Sequence, residues 1–156
     1  MRINVLAVGT RMPSWVTTGT DTYVKRLPRH IDLRFTEIPA APRTSGATPQ
    51  KILTKEGDAL LKAARDADYV IALDERGKSW NSRQLADELQ IWMNEYPRVA
   101  LLVGGADGLD PRCRAAAQRT WSLSALTLPH PLVRVVLAEQ LYRAWTLLQG
   151  HPYHRE

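Results

Sequence analysis

Short apolar runs and longer amphipathic stretches take turns along the whole chain. Residues 2–9 carry Ile3, Val5, Leu6, Ala7 and Val8 and stop at a glycine, as a buried parallel strand does. Pro13 then opens a helical pattern with Trp15, Val16, Tyr23, Val24 and Leu27 on one face, and Pro28 closes it. In residues 31–38, Leu33 and Phe35 alternate with charged side chains, which predicts a second strand. The stretch 39–48, PAAPRTSGAT, reads as an exposed loop, with a mobile lid as the rival reading.

Pro49 suits the first position of the next helix, whose apolar residues are Ile52, Leu53, Leu60, Leu61 and Ala64. A third strand, YVIAL, covers 69–73 and runs into the polar turn 74–77. Asn81 or Ser82 caps a helix striped by Leu85, Leu89, Trp92 and Met93. Residues 99–103 form a fourth strand ending in Gly104-Gly105, and Asp110-Pro111 starts a short helix to about Arg119. A fifth strand is expected at 121–123. The last helix carries Leu132, Val136, Leu137, Leu141, Ala144, Trp145 and Leu148, with Gly150 as its stop.

Strands alternating with helices throughout predict one α/β domain over 1–156, with a mainly parallel sheet and helices on both faces. Ligands of such sheets bind at the carboxyl ends of the strands, where Leu73, Gly104 and Leu123 stand. The apolar, glycine-free stretch 123–128 follows one of those ends and precedes Pro129 and Pro131. It is either a pocket wall for a flat ligand or a strand that runs one turn longer.

Composition narrows the class. The chain has 156 residues, 44% of them hydrophobic, enough for a real core. A formal charge of +5 favours a polyanionic partner. One cysteine, Cys113, excludes an internal disulfide and makes a reducing, cytoplasmic setting the default. The N-terminal apolar run is too short for a signal segment, and nothing approaches a membrane span.

Several chemistries drop out. The turn at 104–108, GGADG, is neither G-x-G-x-x-G nor a P-loop, so dinucleotide and P-loop nucleotide sites are not expected. Cys113 sits on a helix with no histidine nearby in sequence, which reads as a buried, inert thiol. His130, His151 and His154 lack the further ligands a metal needs, so no metal is expected. The terminal HPYHRE is either a solvated tail or a recognition element for a planar base. In the second reading Tyr153 stacks, Arg155 forks onto carbonyl oxygens, His154 exchanges a proton and Arg143 adds a second cation.

The motifs AVGTRMPSW, GKSW with QLA, LLVGGADGL, WSLSALTLPHPLVRVVLAEQLYRAW and the terminal HPYHRE resemble the bacterial ribosomal RNA large-subunit methyltransferase H family, pseudouridine N3-methyltransferases of 23S rRNA within the SPOUT superfamily. The resemblance runs end to end, and its C-terminal third is the specific part. It implies a C-terminal trefoil knot, a homodimer, S-adenosylmethionine as methyl donor, no metal, and the assembled 70S ribosome as the setting for 23S rRNA. It implies a donor pocket of Leu73, Gly104, Gly105, Leu123, Ser124, Ala125, Leu126, Thr127 and Leu128. It places His130 and Tyr153 against the substrate, and His154, Arg155 and Arg143 as catalytic residues, with the tail of one subunit reaching the other's pocket. Similar proteins can carry more lysine and arginine in the loop at 39–48, where this chain has Arg43 alone, so Lys51, Lys55 and the helix faces would have to supply rRNA contacts. The alternatives are a non-catalytic RNA- or ribosome-binding protein on the same fold and an ordinary doubly wound nucleotide enzyme.

Overall fold

The computed structural model describes residues 1–154, with the side chain of His154 left aside; the expectation for Arg155 lies outside the described residues, as does that for the His154 side chain. Its elements are β1 (Arg2–Val8), α1 (Ser14–Val24), β2 (Asp32–Ile38), α2 (Pro49–Ala63), β3 (Tyr69–Ser79), α3 (Ser82–Glu95), β4 (Arg98–Val103), α4 (Pro111–Ala116), β5 (Arg119–Ser122) and α5 (His130–Leu148). A short 3-10 turn, Pro152–His154, follows. The strands form one parallel sheet in the order β2-β1-β4-β3-β5.

Strands buried on both faces need cover on both, and the helices provide it. Ile3, Val5, Ile71 and Leu101 point into a core shared with Leu85, Leu89 and Trp92 of α3 and Leu137, Leu141 and Ala144 of α5. The alternate positions Leu6, Val8, Ala72 and Leu102 face Leu60 of α2 and Cys113 of α4. The period of two along each strand thus sorts one apolar sequence into two layers.

Local chemistry sets several boundaries. Pro49 and Pro111 each open a helix from its first turn, capped by the side chains of Thr48 and Asp110. Asn81 caps α3 in a reciprocal pair: its side chain accepts the Gln84 N–H at 2.8 Å, and the Gln84 side chain accepts the Asn81 N–H at 2.9 Å. Gly150 takes φ +67, and the His151 and Gly150 N–H groups reach back to Thr146 and Leu147 O at 2.9 and 3.3 Å, closing α5.

Four expectations change. β3 does not end at Leu73: Leu73 and Lys78 both pair with Trp121, so the residues between them bulge out of a strand that continues to Ser79. Gly77 permits this, since a Cβ there would sit 2.6 Å from the Thr120 backbone. α4 stops at Ala116, and β5 begins at Arg119 and ends at Ser122, leaving Leu123 in the loop. α5 starts at His130, because Pro131 falls in the first turn, where no backbone donor is required. Trp15 and Leu132, expected on buried helix faces, are exposed at 51% and 37%.

Candidate active site

The carboxyl ends of β3, β4 and β5 open onto one cleft of about 540 Å³, within the usual range for a small-molecule site. Each wall comes from what the chain does as it leaves a strand. After β4 it makes a tight turn, with Gly108 N–H donating to Gly105 O at 2.9 Å. Gly104 has no room for a side chain, since a Cβ would run into the Gly108 carbonyl. After β5 the chain enters the apolar loop 123–129. Ser124 stiffens it by accepting the Leu126 N–H on its hydroxyl at 2.9 Å and a bond from the Ser122 hydroxyl on its carbonyl at 3.2 Å. The loop is therefore a wall and not a longer strand.

Of the expected donor-pocket residues, Leu73, Gly104, Gly105, Leu123, Ser124, Leu126, Thr127 and Leu128 line this cleft. Ala125 does not: it is exposed and is absent from the cleft lining. His130, expected on the substrate side, lines the same cleft at the start of α5. Leu126 is 75% exposed at the lip, an apolar surface left open among the described residues.

Residues that sequence reasoning missed form the polar side. The bulge brings Asp74, Glu75 and Arg76 to the cleft, and α4 brings Arg114. Asp74 pairs with Arg114 at 3.2 Å and accepts the Arg76 N–H at 2.9 Å, its side chain only 8% exposed. Asp74 thus ties the bulge to α4 through Arg114 and to its own backbone through the Arg76 N–H. The signal was present as the charged run Asp74-Glu75-Arg76, which reads locally as a turn. Beneath the site, burial pushes the Cys113 thiol up to about 11. At Asp110 burial works against ionisation, yet the hydrogen bonds from Arg112 prevail and hold its carboxyl below the usual range.

Arg143 and Tyr153 come together, but not at this cleft. Glu139 accepts from Arg143 Nε at 3.1 Å and from the Tyr153 hydroxyl at 3.4 Å. The Arg143 guanidinium lies 5.1 Å over the Tyr153 ring, and Tyr153 packs edge-on against Tyr142 at 4.8 Å. Burial, then the Glu139 charge, pushes the Tyr153 phenol up to about 12. Arg143 sits about 20 Å along α5 from His130, at the usual helical rise. The single chain therefore holds its cleft apart from Arg143 and Tyr153. Among the described residues, no three His, Cys, Asp or Glu side chains gather as a metal site would need.

Comparison with known proteins places this architecture. The chain is 56% identical over 155 residues to the ribosomal RNA large subunit methyltransferase H of Marinomonas sp., covering 99% of this chain and 100% of that protein. It is 55% identical to the protein of the same name from Hahella chejuensis, with both covered completely. Among solved structures it resembles a probable methylase family protein from Haemophilus influenzae (TM-score 0.58, 15% identity, 99% of this chain and 70% of that one). A probable methyltransferase from Bordetella pertussis is similar (TM-score 0.55, 16% identity, 92% of each chain). These two distant likenesses carry the fold alone. A family model described as predicted SPOUT methyltransferase matches residues 1–154. The chain belongs to the SPOUT methyltransferases and, among them, to the ribosomal RNA large subunit methyltransferase H family.

Proposed function

We propose that this methyltransferase transfers a methyl group from S-adenosylmethionine to N3 of a pseudouridine in 23S rRNA. We read it as a knotted homodimer acting in the cytoplasm on the assembled 70S ribosome. The observation that carries the reading is the convergence of the glycine turn, Leu73 and the 123–128 loop on one cleft at the strand ends. Relatives at 55–56% identity, named for ribosomal RNA methylation, support the substrate class.

The cleft suits the donor. Leu73, Leu123 and Leu128 offer apolar walls to a flat adenine, and the side-chain-free Gly104 lets backbone approach it. Bound there, the donor supplies an electrophilic sulfonium methyl. The protein must then hold the target base in line with that methyl, an alignment that contributes much of the rate. N3 of the base carries a proton and is a poor nucleophile at neutral pH. A base must take that proton, or a cation must stabilise the anion spread over the flanking carbonyl oxygens. His154 is our candidate base, and Arg155 and Arg143 our candidate cations, with Tyr153 and His130 packing the target. Because Arg143 and Tyr153 stand far along α5 from the cleft of their own chain, the reading places the tail of one subunit over the cleft of the other.

The test is methyl transfer from labelled S-adenosylmethionine to 70S ribosomes, separated subunits and naked 23S rRNA from cells lacking the activity. Label on a 23S pseudouridine, with 70S the best acceptor, is the expected result. Donor binding without label on any rRNA would overturn the substrate assignment and leave the cleft standing.

A further inference from the structure

The glycine turn that forms one wall of the cleft is held from beneath and from the side. Glu56, on α2, is only 4% exposed. Its Oε2 accepts the Ala41 backbone N–H at 2.9 Å, which pins a buried point of the 39–48 loop. Its Oε1 has no hydrogen-bond partner among the described residues, although solvent does not reach it. That oxygen lies against Gly105, where a Cβ would sit 2.9 Å from it. On the outside, Arg43 Nη2 meets Asp107 Oδ2 at 2.6 Å. The 39–48 loop and the 104–108 turn thus meet twice, packed together through Glu56 inside and paired through Arg43 and Asp107 outside. A buried carboxylate oxygen without a donor is costly, and the backbone of the turn is what packs on it.

We propose that Glu56 is a positioning residue for the donor cleft, clamping the glycine turn and the 39–48 loop into one unit. The proposal rests on the donor reading above. None of residues 39–48 lines the cleft, so the loop acts through the turn and not by touching the ligand. A ligand that presses on Gly104 and Gly105 sets the turn against Glu56. The turn then orders the loop through Ala41 and Arg43, and by linkage an ordered loop tightens the ligand in return. The 39–48 segment is in this account a strap whose state reports occupancy of the cleft.

The experiment pairs calorimetric binding of S-adenosylhomocysteine with amide hydrogen exchange of residues 39–48, in the full-length protein and three variants. In the wild type the ligand slows exchange across 39–48. Glu56→Ala weakens binding about tenfold, the cost of a broken buried hydrogen bond, and abolishes the protection. Glu56→Gln keeps an acceptor for Ala41, restores the protection and holds affinity within about twofold. Arg43→Ala, an exposed change that leaves folding intact, weakens binding about threefold, as loss of a half-exposed ion pair does. Should Glu56→Ala fail to fold, Arg43→Ala and the wild-type exchange decide. Wild-type binding with unchanged exchange at 39–48, or wild-type affinity in a folded Glu56→Ala (in Arg43→Ala, should Glu56→Ala not fold), would overturn the proposal. Absence of any binding by the wild type would instead overturn the donor reading on which it stands.

Discussion

At Gly104 the Gly108 carbonyl occupies the space where a side chain would begin. Gly104→Ala must open the turn, at about 1–3 kcal/mol of overpacking strain, and the displaced backbone narrows the cleft. We expect S-adenosylhomocysteine affinity about tenfold weaker by calorimetry, with the circular dichroism spectrum unchanged. Unaltered affinity in a folded variant would remove the turn from the site. Cys113 offers a second residue-level test. It is fully buried and its thiol is pushed up to about 11, first by burial and then by the Asp110 charge. The raised value keeps the thiol protonated at pH 8, so a disulfide reagent should label it only after unfolding. Rapid labelling of the native protein would show an open path to the α2–α4 layer. Both residues were legible in the sequence for simple reasons. A glycine pair after a strand needs close approach, and a lone cysteine far from any histidine has nothing to activate it. The exposure of Ala125 was not legible, because an apolar run without a period does not tell which of its residues line a cleft.

Helices and strands whose ends carry their own chemistry were read nearly to the residue. Asn81 is the clearest case: its side chain and that of Gln84 satisfy each other's backbone donors at the start of α3. Asn81→Ala is expected to cost about 1 kcal/mol of stability, measured as a lower urea midpoint at unchanged slope. No shift in the midpoint would mean that packing of Leu85, Leu89 and Trp92 alone sets that boundary. Elements defined by partners far away in sequence were read less well. The charged residues 74–77 have the local look of a turn, yet β3 resumes at Lys78 by pairing again with Trp121, and Trp80 stacks on Trp121 at 5.1 Å. That pairing spans some forty residues of chain, beyond the reach of any local pattern. The cost of missing it was the polar side of the cleft: Asp74 and Arg76 enter the site on the bulge itself, and Arg114 is fixed there by its pair with Asp74. Trp15 and Leu132 were misplaced because helical periodicity tells which residues share a face, not whether the first turn of α1 or α5 is covered, and both are exposed.

For the whole molecule, the separation of the cleft from Arg143 and Tyr153 decides what one chain can do. His130 lines the cleft at the start of α5, whereas Arg143 and Tyr153 are locked to Glu139 and Tyr142 near its other end. A helix is a rigid spacer, so these groups cannot fold back over the cleft of their own subunit without dismantling α5. If each active site takes its donor from one subunit and its tail residues from another, two different defects should complement. Gly104→Val disables the cleft; Arg143→Ala disables the tail side. Each homodimer is then expected to be inactive on 70S ribosomes. Mixing the two in equal amounts through a cycle of denaturation and refolding makes half the dimers mixed, each with one intact composite site. Activity should therefore recover to about a quarter of the wild-type value, as a two-fold symmetric assembly requires. Recovery that depends on refolding together, and is absent when the folded variants are mixed without exchange, would tie the effect to the shared site. If no activity returns while mixed dimers are verified by mass spectrometry, the tail serves its own subunit or plays no part in transfer. The placement of Arg143 and Tyr153 over the partner's cleft would then have to be abandoned.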